Sequence, residues 1–267
     1  AYVDFNRAPG FSRVRLGRQT NEEVESLQFD GVRGETRELE QAARLRFDLF
    51  GGVPVNPWES SARGDYLGGL GVRLRPSSRL RLEGDYVHVR DERHYGYLGD
   101  LDHEGASDDL FLAKATSFLG DAWDVAGRAA SYANEFRDVR ASAGWQGEEA
   151  RAHLSLLTQP AEVGNHVMAT DGLVYLAGPI KPYYEAGLDG GWDLTRQFTL
   201  EPGVTVRELY DPAEAGNFNH AWQRYYLSGT LRDGLAKDST LTITPSVWNG
   251  DDTVASLEGS YRQPLAR

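Results

Sequence analysis

Apolar and polar residues alternate one by one along most of this chain. Strict alternation predicts β-strands with one apolar and one polar face, because successive side chains of a strand point to opposite sides. The polar faces are densely charged, and the segments run to about ten residues, the length of a tilted strand that crosses a membrane. The pattern therefore favours a transmembrane β-barrel, with lipid against the apolar face and water inside. Clear examples are residues 44–49, 72–75, 80–83, 204–207 and 240–244.

Turn residues divide the chain into about fourteen predicted strands, to within two to four residues at each end. The predicted strands are 11–18, 24–33, 39–50, 66–75, 79–91, 107–118, 122–134, 137–146, 149–158, 183–194, 198–210, 221–232, 239–248 and 253–262. Gly, Pro, Ser and Asp mark tight turns between them. These turns are 76–78, 119–121, 147–148, 195–197 and, slightly longer, 233–238.

The remaining connections are long, and with this strand count they fall at the opposite end of the sheet. Outer-membrane barrels show that asymmetry, with short periplasmic turns and long external loops. We therefore predict an all-β fold, an antiparallel transmembrane β-barrel of about fourteen strands, or about sixteen or more if residues precede Ala1. The long connections are 51–65, 92–107, 159–182 and 211–220.

The predicted apolar faces carry no charge in four of the segments. An Arg or Lys at the bilayer midplane costs about 2–4 kcal/mol, so a lipid-facing surface is expected to lack charges. Pro202 and Pro245 fall inside predicted strands, where proline removes a ladder hydrogen bond, and bulges would accommodate them. The uncharged series take every second residue of 139–145, 184–194, 198–206 and 255–261.

Aromatic residues lie near the ends of many predicted strands. Such placement suits the aromatic girdles at the two interfaces of a membrane barrel. An aromatic-rich β-sandwich core is the alternative, but a central core does not explain aromatics at both strand ends. The residues concerned are Phe50, Tyr66, Trp123, Trp145, Trp192, Phe198, Tyr210, Trp222 and Trp248.

Composition narrows the function classes. The 267 residues include 28 Lys and Arg against 40 Asp and Glu, a net charge of −12 that argues against a nucleic-acid partner. The chain has no cysteine, which excludes disulfides, thiolate metal sites and a cysteine nucleophile. No nucleophile elbow, metalloprotease helix or calcium-loop spacing occurs, so we predict neither an enzyme nor a bound cofactor.

The predicted polar faces collect arginines and carboxylates. In a closed barrel these groups would face one another across a watery lumen and tune charge selectivity. They could equally do no more than pair and solvate the interior, since every aqueous lumen needs polar residues. The lumen and selectivity candidates are Arg44, Arg46, Arg73, Arg75, Arg79, Arg81, Glu83, Asp85, Arg140, Glu185, Asp189, Asp193, Glu201 and Arg207.

Three phrases near the start of the chain carry a family resemblance. Residues 1–5 (AYVDF), 14–19 (VRLGRQ) and 29–33 (FDGVR) resemble Gram-negative outer-membrane porins of the alginate-exporter-like type. The resemblance implies a passive or facilitated channel. A second possibility is a barrel that sheathes a partner such as a multihaem cytochrome in an electron conduit, and because this chain lacks cysteine the haem would belong to the partner.

We therefore predict one outer-membrane barrel domain over residues 1–267 that passes small hydrophilic or charged solutes. The expected partners are outer-membrane lipid, lipopolysaccharide and small polar solutes, with a periplasmic or lumen-plugging protein as a further candidate. Inward glycines, which would leave room for such a plug, are Gly69, Gly71, Gly144, Gly187, Gly191 and Gly203. A soluble β-sandwich binding module is the non-membrane alternative.

Overall fold

The computed structural model contains fifteen antiparallel strands in one sheet, and each strand pairs with the next along the chain. The structure describes all residues except 7, 22–26, 41–42, 56–63, 92–105, 133–134, 161–180, 215–219, 235 and 265–267. The strands are β1 Tyr2–Asn6, β2 Phe11–Asn21, β3 Leu27–Thr36, β4 Arg46–Pro54, β5 Tyr66–Leu74, β6 Leu80–Asp91, β7 Ala106–Leu119, β8 Trp123–Tyr132, β9 Glu135–Gln146, β10 Ala150–Gln159, β11 Tyr183–Asp193, β12 Phe198–Leu209, β13 Trp222–Arg232, β14 Thr240–Asn249 and β15 Thr253–Arg262.

All fourteen predicted strands are present, and β1 is the additional one. The sequential order of a single sheet differs from the Greek-key connections of two packed sheets, so the β-sandwich alternative is wrong. Most of the predicted long connections 92–107 and 159–182 lie outside the described residues. Within the described residues, no helix is long and apolar enough to cross a membrane.

The described residues group into two compact units. One contains Ala1–Ser117 and Gly127–Val139, and the other contains Phe118–Ala126, Arg140–Pro160 and Lys181–Arg267. In the first unit, β5 and β6 are joined by a tight turn in which the Ser77 hydroxyl accepts the N–H groups of Arg79 and Leu80. In the second, Thr195 caps the turn between β11 and β12 in the same way. The predicted Ser turn chemistry is thus present, and Thr195 supplies the equivalent hydroxyl in the second turn.

The two prolines sit in regular strands without a bulge. The ladder between β11 and β12 keeps one register but skips Pro202, while the ladder between β12 and β13 continues through it. Pro245 likewise interrupts the ladder with β13 and pairs with Leu257 of β15. Each proline therefore loses hydrogen bonding on one side only, and the sheet accommodates both prolines without a bulge.

The two faces of the strands are inverted relative to a soluble protein. In β11 the large side chains Tyr184, Leu188 and Trp192 are 47%, 52% and 48% exposed and point to one side. Glu185 and Asp189 point to the other side and are only partly exposed. We call these sides the apolar face and the polar face. An exposed apolar face is expected where the surroundings are lipid.

The polar face of the first unit also holds an apolar cluster. Its members lie mainly on the halves of β3–β8 that adjoin the long connections, and all are below 10% exposed. Phe50 belongs to this cluster and packs its ring 5.6 Å from that of Phe29, so its predicted place in an interfacial girdle is wrong. The cluster comprises Phe29, Phe50, Leu67, Val87, Val89, Leu110, Leu112, Ala130 and Tyr132.

Candidate solute-lining face

Ion pairs connect neighbouring strands on the polar face of the first unit. Arg73 of β5 donates from Nη1 to Asp85 Oδ1 on β6 at 2.9 Å, and its Nε lies 3.6 Å from Glu83. Three of the predicted candidates therefore form one group. Their side chains are 6–18% exposed, so the carboxylates are held by a guanidinium rather than by bulk water.

Two further networks in this unit contain residues outside the predicted set. Asp4 of β1 accepts hydrogen bonds from both Arg13 and Arg15 of β2. Arg33 of β3 forms a bidentate pair with Asp48 of β4. The residues of both networks lie at polar-face positions of β1–β4, so the alternation was the available signal for them.

The most buried charge of the first unit is Asp138 of β9, which is 1% exposed. Its carboxylate lies 3.5 Å from Arg128 and 3.3 Å from Arg137. Arg137 also stacks its guanidinium 4.4 Å from the centre of the Tyr132 ring. We call Arg128, Arg137 and Asp138 the buried triad. A buried carboxylate with two guanidinium partners is a structural element of the wall, since removing one partner would leave an uncompensated charge.

The other candidates of the first unit lie near the tight-turn end. Arg44 precedes β4 and is 4.0 Å from Glu38, while Arg46 begins β4 and pairs with Glu35 at 3.0 Å. These exposed side chains therefore lie at the ends of their strands and not at the middle of the polar face. The other exposed candidates there are Arg75, Arg79 and Arg81.

On the polar face of the second unit, ion pairs join β10, β11 and β12. Arg207 donates to Glu185 from both Nε and Nη2, at 3.0 and 2.7 Å. The His153 ring lies 3.3 Å from Asp189, and Asp193 accepts a 2.6 Å hydrogen bond from Thr199. Four predicted candidates thus have partners on this face. Arg140 lies on β9 and is exposed.

Arg151 reaches a partner two strands away. It pairs with Glu201 on β12, although β11 lies between their strands. Its register partner on β11 is Gly191, where an added Cβ would lie 2.9 Å from the guanidinium carbon. The absent side chain of Gly191 therefore lets Arg151 pass over β11.

An arginine–aromatic cluster lies at the long-connection end of this face. Arg207 stacks 4.1 Å from the Tyr183 ring, and Arg224 stacks 4.9 Å from the Trp248 ring. The rings of Trp222 and Trp248 are 4.8 Å apart. Both tryptophans were predicted in the outward girdle, and that prediction is wrong because they share the face of the arginines. Their parity was the available signal, since Trp222 and Arg224 are two residues apart on one strand.

Hydroxyl groups join β13 to β14 on the polar face. Ser228 bonds Thr244 at 2.9 Å, and Thr230 bonds Thr242 at 3.2 Å. These hydroxyl pairs stand beside charged side chains on the same face, among them Arg224 of β13 and Glu258 of β15. Paired charges, stacked guanidinium groups and hydroxyls together form a wettable surface that offers donors and acceptors to a polar solute. In the described part of the chain, no three His, Asp or Glu side chains group as metal ligands would.

The sheet is built like the barrel of a bacterial outer-membrane porin. No family model and no curated protein sequence matches the chain. Solved porin structures do match: Pseudomonas aeruginosa OpdO has a TM-score of 0.54 at 9% identity, covering 93% of this chain and 74% of that one.

Two further porins agree. P. aeruginosa OccK11 (OpdR) has a TM-score of 0.53 at 11% identity, covering 93% of this chain and 75% of its own. Acinetobacter baumannii OccAB1 has a TM-score of 0.52 at 11% identity, covering 93% and 74%. The predicted all-β antiparallel barrel fold is therefore confirmed.

Proposed function

We propose that the chain is a porin of the bacterial outer membrane that passes small hydrophilic or charged solutes along its polar face. The observation that carries this proposal is the inversion of the two faces, with large apolar side chains exposed on one face and charged side chains gathered on the other. The porin fold supports the same function, because those relatives are channels and not enzymes. We further propose that residues 1–267 act as one domain and without catalysis.

The fourteen lumen candidates are proposed to set the charge selectivity of this channel. Arg207 is a candidate for solute contact, because its side chain stays 28% exposed at the long-connection end although it pairs with Glu185. The resemblance of the first 33 residues to alginate-exporter-like porins makes an anionic solute a reasonable first choice, and the structural relatives support only the broader porin class.

The polar-face glycines favour a channel over a sheath around a protein. A Cβ on Gly69 would fall on the Phe50 ring, and one on Gly71 would lie 2.8 Å from the Asp85 carboxylate. Side chains of neighbouring strands also cover Gly144, Gly187, Gly191 and Gly203. The glycines therefore make room for the wall's own side chains, and they do not widen the lumen for a plug.

The proposal is tested by single-channel recording of the detergent-purified chain in planar bilayers. We expect discrete conductance steps, and Arg81→Glu should shift the anion-to-cation permeability ratio toward cations by about two-fold. Lys237→Glu makes the same charge change in an exposed turn and should alter that ratio little. A folded chain that never conducts would contradict the channel, and co-purification with a haem protein would instead support the sheath.

A further inference from the structure

The apolar face of the first unit carries a groove of about 460 Å³. Its floor is made of small residues on β6, β7 and β8, and its walls are larger apolar and aromatic side chains. A groove of this size is within the range of about 300–1,000 Å³ that is typical of ligand sites. The floor residues are Gly84, Ala113, Ala129 and Ser131, and the walls are Leu70, Val72, Tyr86, Phe111 and Phe136.

Polar side chains stand at one end of this groove, still on the apolar face. Tyr86 donates to Asp109 Oδ1 at 2.7 Å, and the His88 ring nitrogen Nδ1 lies 2.8 Å from the same oxygen. The Tyr66 hydroxyl is 3.3 Å from Nε2 of His88. We call these four residues the polar cluster. Ionisable groups on a lipid-facing surface are costly unless they meet a polar partner, and in the polar cluster they meet one another.

The register fixes how the groove and the polar cluster are arranged. Gly84 pairs with Ala113, Tyr86 with Phe111, and His88 with Asp109. Successive pairs are two residues apart on the same face. The first pair lies in the groove floor, the second in its aromatic wall and the third in the polar cluster. The series points toward the long connection after β6, and Arg90 is the next residue on that face and is exposed.

We propose that this site binds one lipopolysaccharide molecule of the outer leaflet, with an acyl chain in the groove and its polar region at the cluster. Acyl chains gain nothing from hydrophobic transfer between lipid and protein, so close packing and hydrogen bonds must supply the preference. The groove supplies the packing, and the Asp109 carboxylate can accept from the hydroxyl and amide donors near the head of lipid A. Arg90 adds a positive charge where the phosphates would lie.

This proposal depends on the outer-membrane location but not on conduction. The structure therefore suggests a binding experiment on the detergent-purified, folded chain, with native mass spectrometry in the presence of purified rough-type lipopolysaccharide. Wild type should retain one lipopolysaccharide molecule. Ala113→Trp, which fills the groove floor, should weaken retention by about ten-fold through direct clash. Ala115→Trp is the matched control, because Ala115 is two residues further on the same strand and face but outside the groove.

Equal retention by the Ala113→Trp and Ala115→Trp variants would overturn the groove assignment. Asp109→Asn tests the polar cluster without adding bulk and should reduce retention of lipopolysaccharide more than of phosphatidylethanolamine. If wild type retains phosphatidylethanolamine equally well, lipopolysaccharide is the wrong ligand. Heat-modifiable migration on gels checks that each variant is folded, and Asp109→Asn decides the matter if the tryptophan variants do not fold.

Discussion

Replacing Leu188 by arginine distinguishes a membrane-spanning sheet from a soluble one. Leu188 lies at the centre of β11, between the outward aromatic residues Tyr184 and Trp192 near the two strand ends. On a soluble protein, a half-exposed leucine can become arginine at little cost, because surface substitutions usually stay within about 0.5 kcal/mol. In lipid the same change places a charge where water cannot reach it.

The expected cost follows from the position of Leu188 in the strand. The eleven residues of β11 give ten steps of ~3.4 Å, and a tilt of ~40° reduces the resulting ~34 Å to ~26 Å across the membrane. The apolar band of a barrel is ~25 Å tall, so the centre of the strand is at the midplane. Arginine there costs about 2–4 kcal/mol, and near an interface about 0–1 kcal/mol.

Leu194 provides the matched control, because it is exposed in the tight turn that follows β11. Both variants are refolded into phospholipid vesicles, and urea unfolding is followed by tryptophan fluorescence. Leu188→Arg should lower the free energy of unfolding by about 2–4 kcal/mol and Leu194→Arg by at most about 1 kcal/mol. If both changes lie within about 0.5 kcal/mol of wild type, the apolar face does not meet lipid.

Two further predictions concern the packing of the wall. Gly31→Ala would place a Cβ on the backbone carbonyl oxygen of Gly51, so it should destabilise the chain by about 1–3 kcal/mol in the same unfolding assay. Gly259→Ala, whose Cβ would meet nothing within 4 Å, should leave stability nearly unchanged, and equal effects would refute the contact. Asp138→Ala should cost about 3–5 kcal/mol because two guanidinium groups lose a buried carboxylate partner. An unchanged free energy of unfolding would show that the buried triad does not stabilise the sheet.

The strands were predictable because alternation is a local signal that repeats several times in each segment. β1 was missed for the same reason, since Tyr2–Asn6 offers only five residues and too few periods to stand out. The inner apolar cluster was missed because Val87 and Val89 occupy the face where alternation predicts polar side chains. A period identifies which residues share a face, but it does not say what packs against that face.

The candidate site was predictable as a face and not as a set of contacts. Alternation placed Glu185 and Arg207 on the polar face, but their pairing depends on the register between β11 and β12. Arg151 and Glu201 are harder still, because their contact crosses a third strand at a glycine. The sequence identifies which residues share the polar face, but which of them form pairs depends on the strand register.

Averages over the whole chain point away from the membrane, and the alternation of the strands explains why they do not exclude a membrane barrel. A mean hydropathy of −0.51 and a net charge of −12 would suit a soluble acidic protein. A barrel strand gives only alternate residues to lipid, so its apolar half is diluted by the charged half in any average. In this chain the charged residues of the polar face also form ion pairs, since Arg73, Arg207 and the arginines of the buried triad each pair with carboxylates. A barrel with a water-filled inside would need polar residues on one face of every strand, so the hydrophilic composition agrees with the proposed channel.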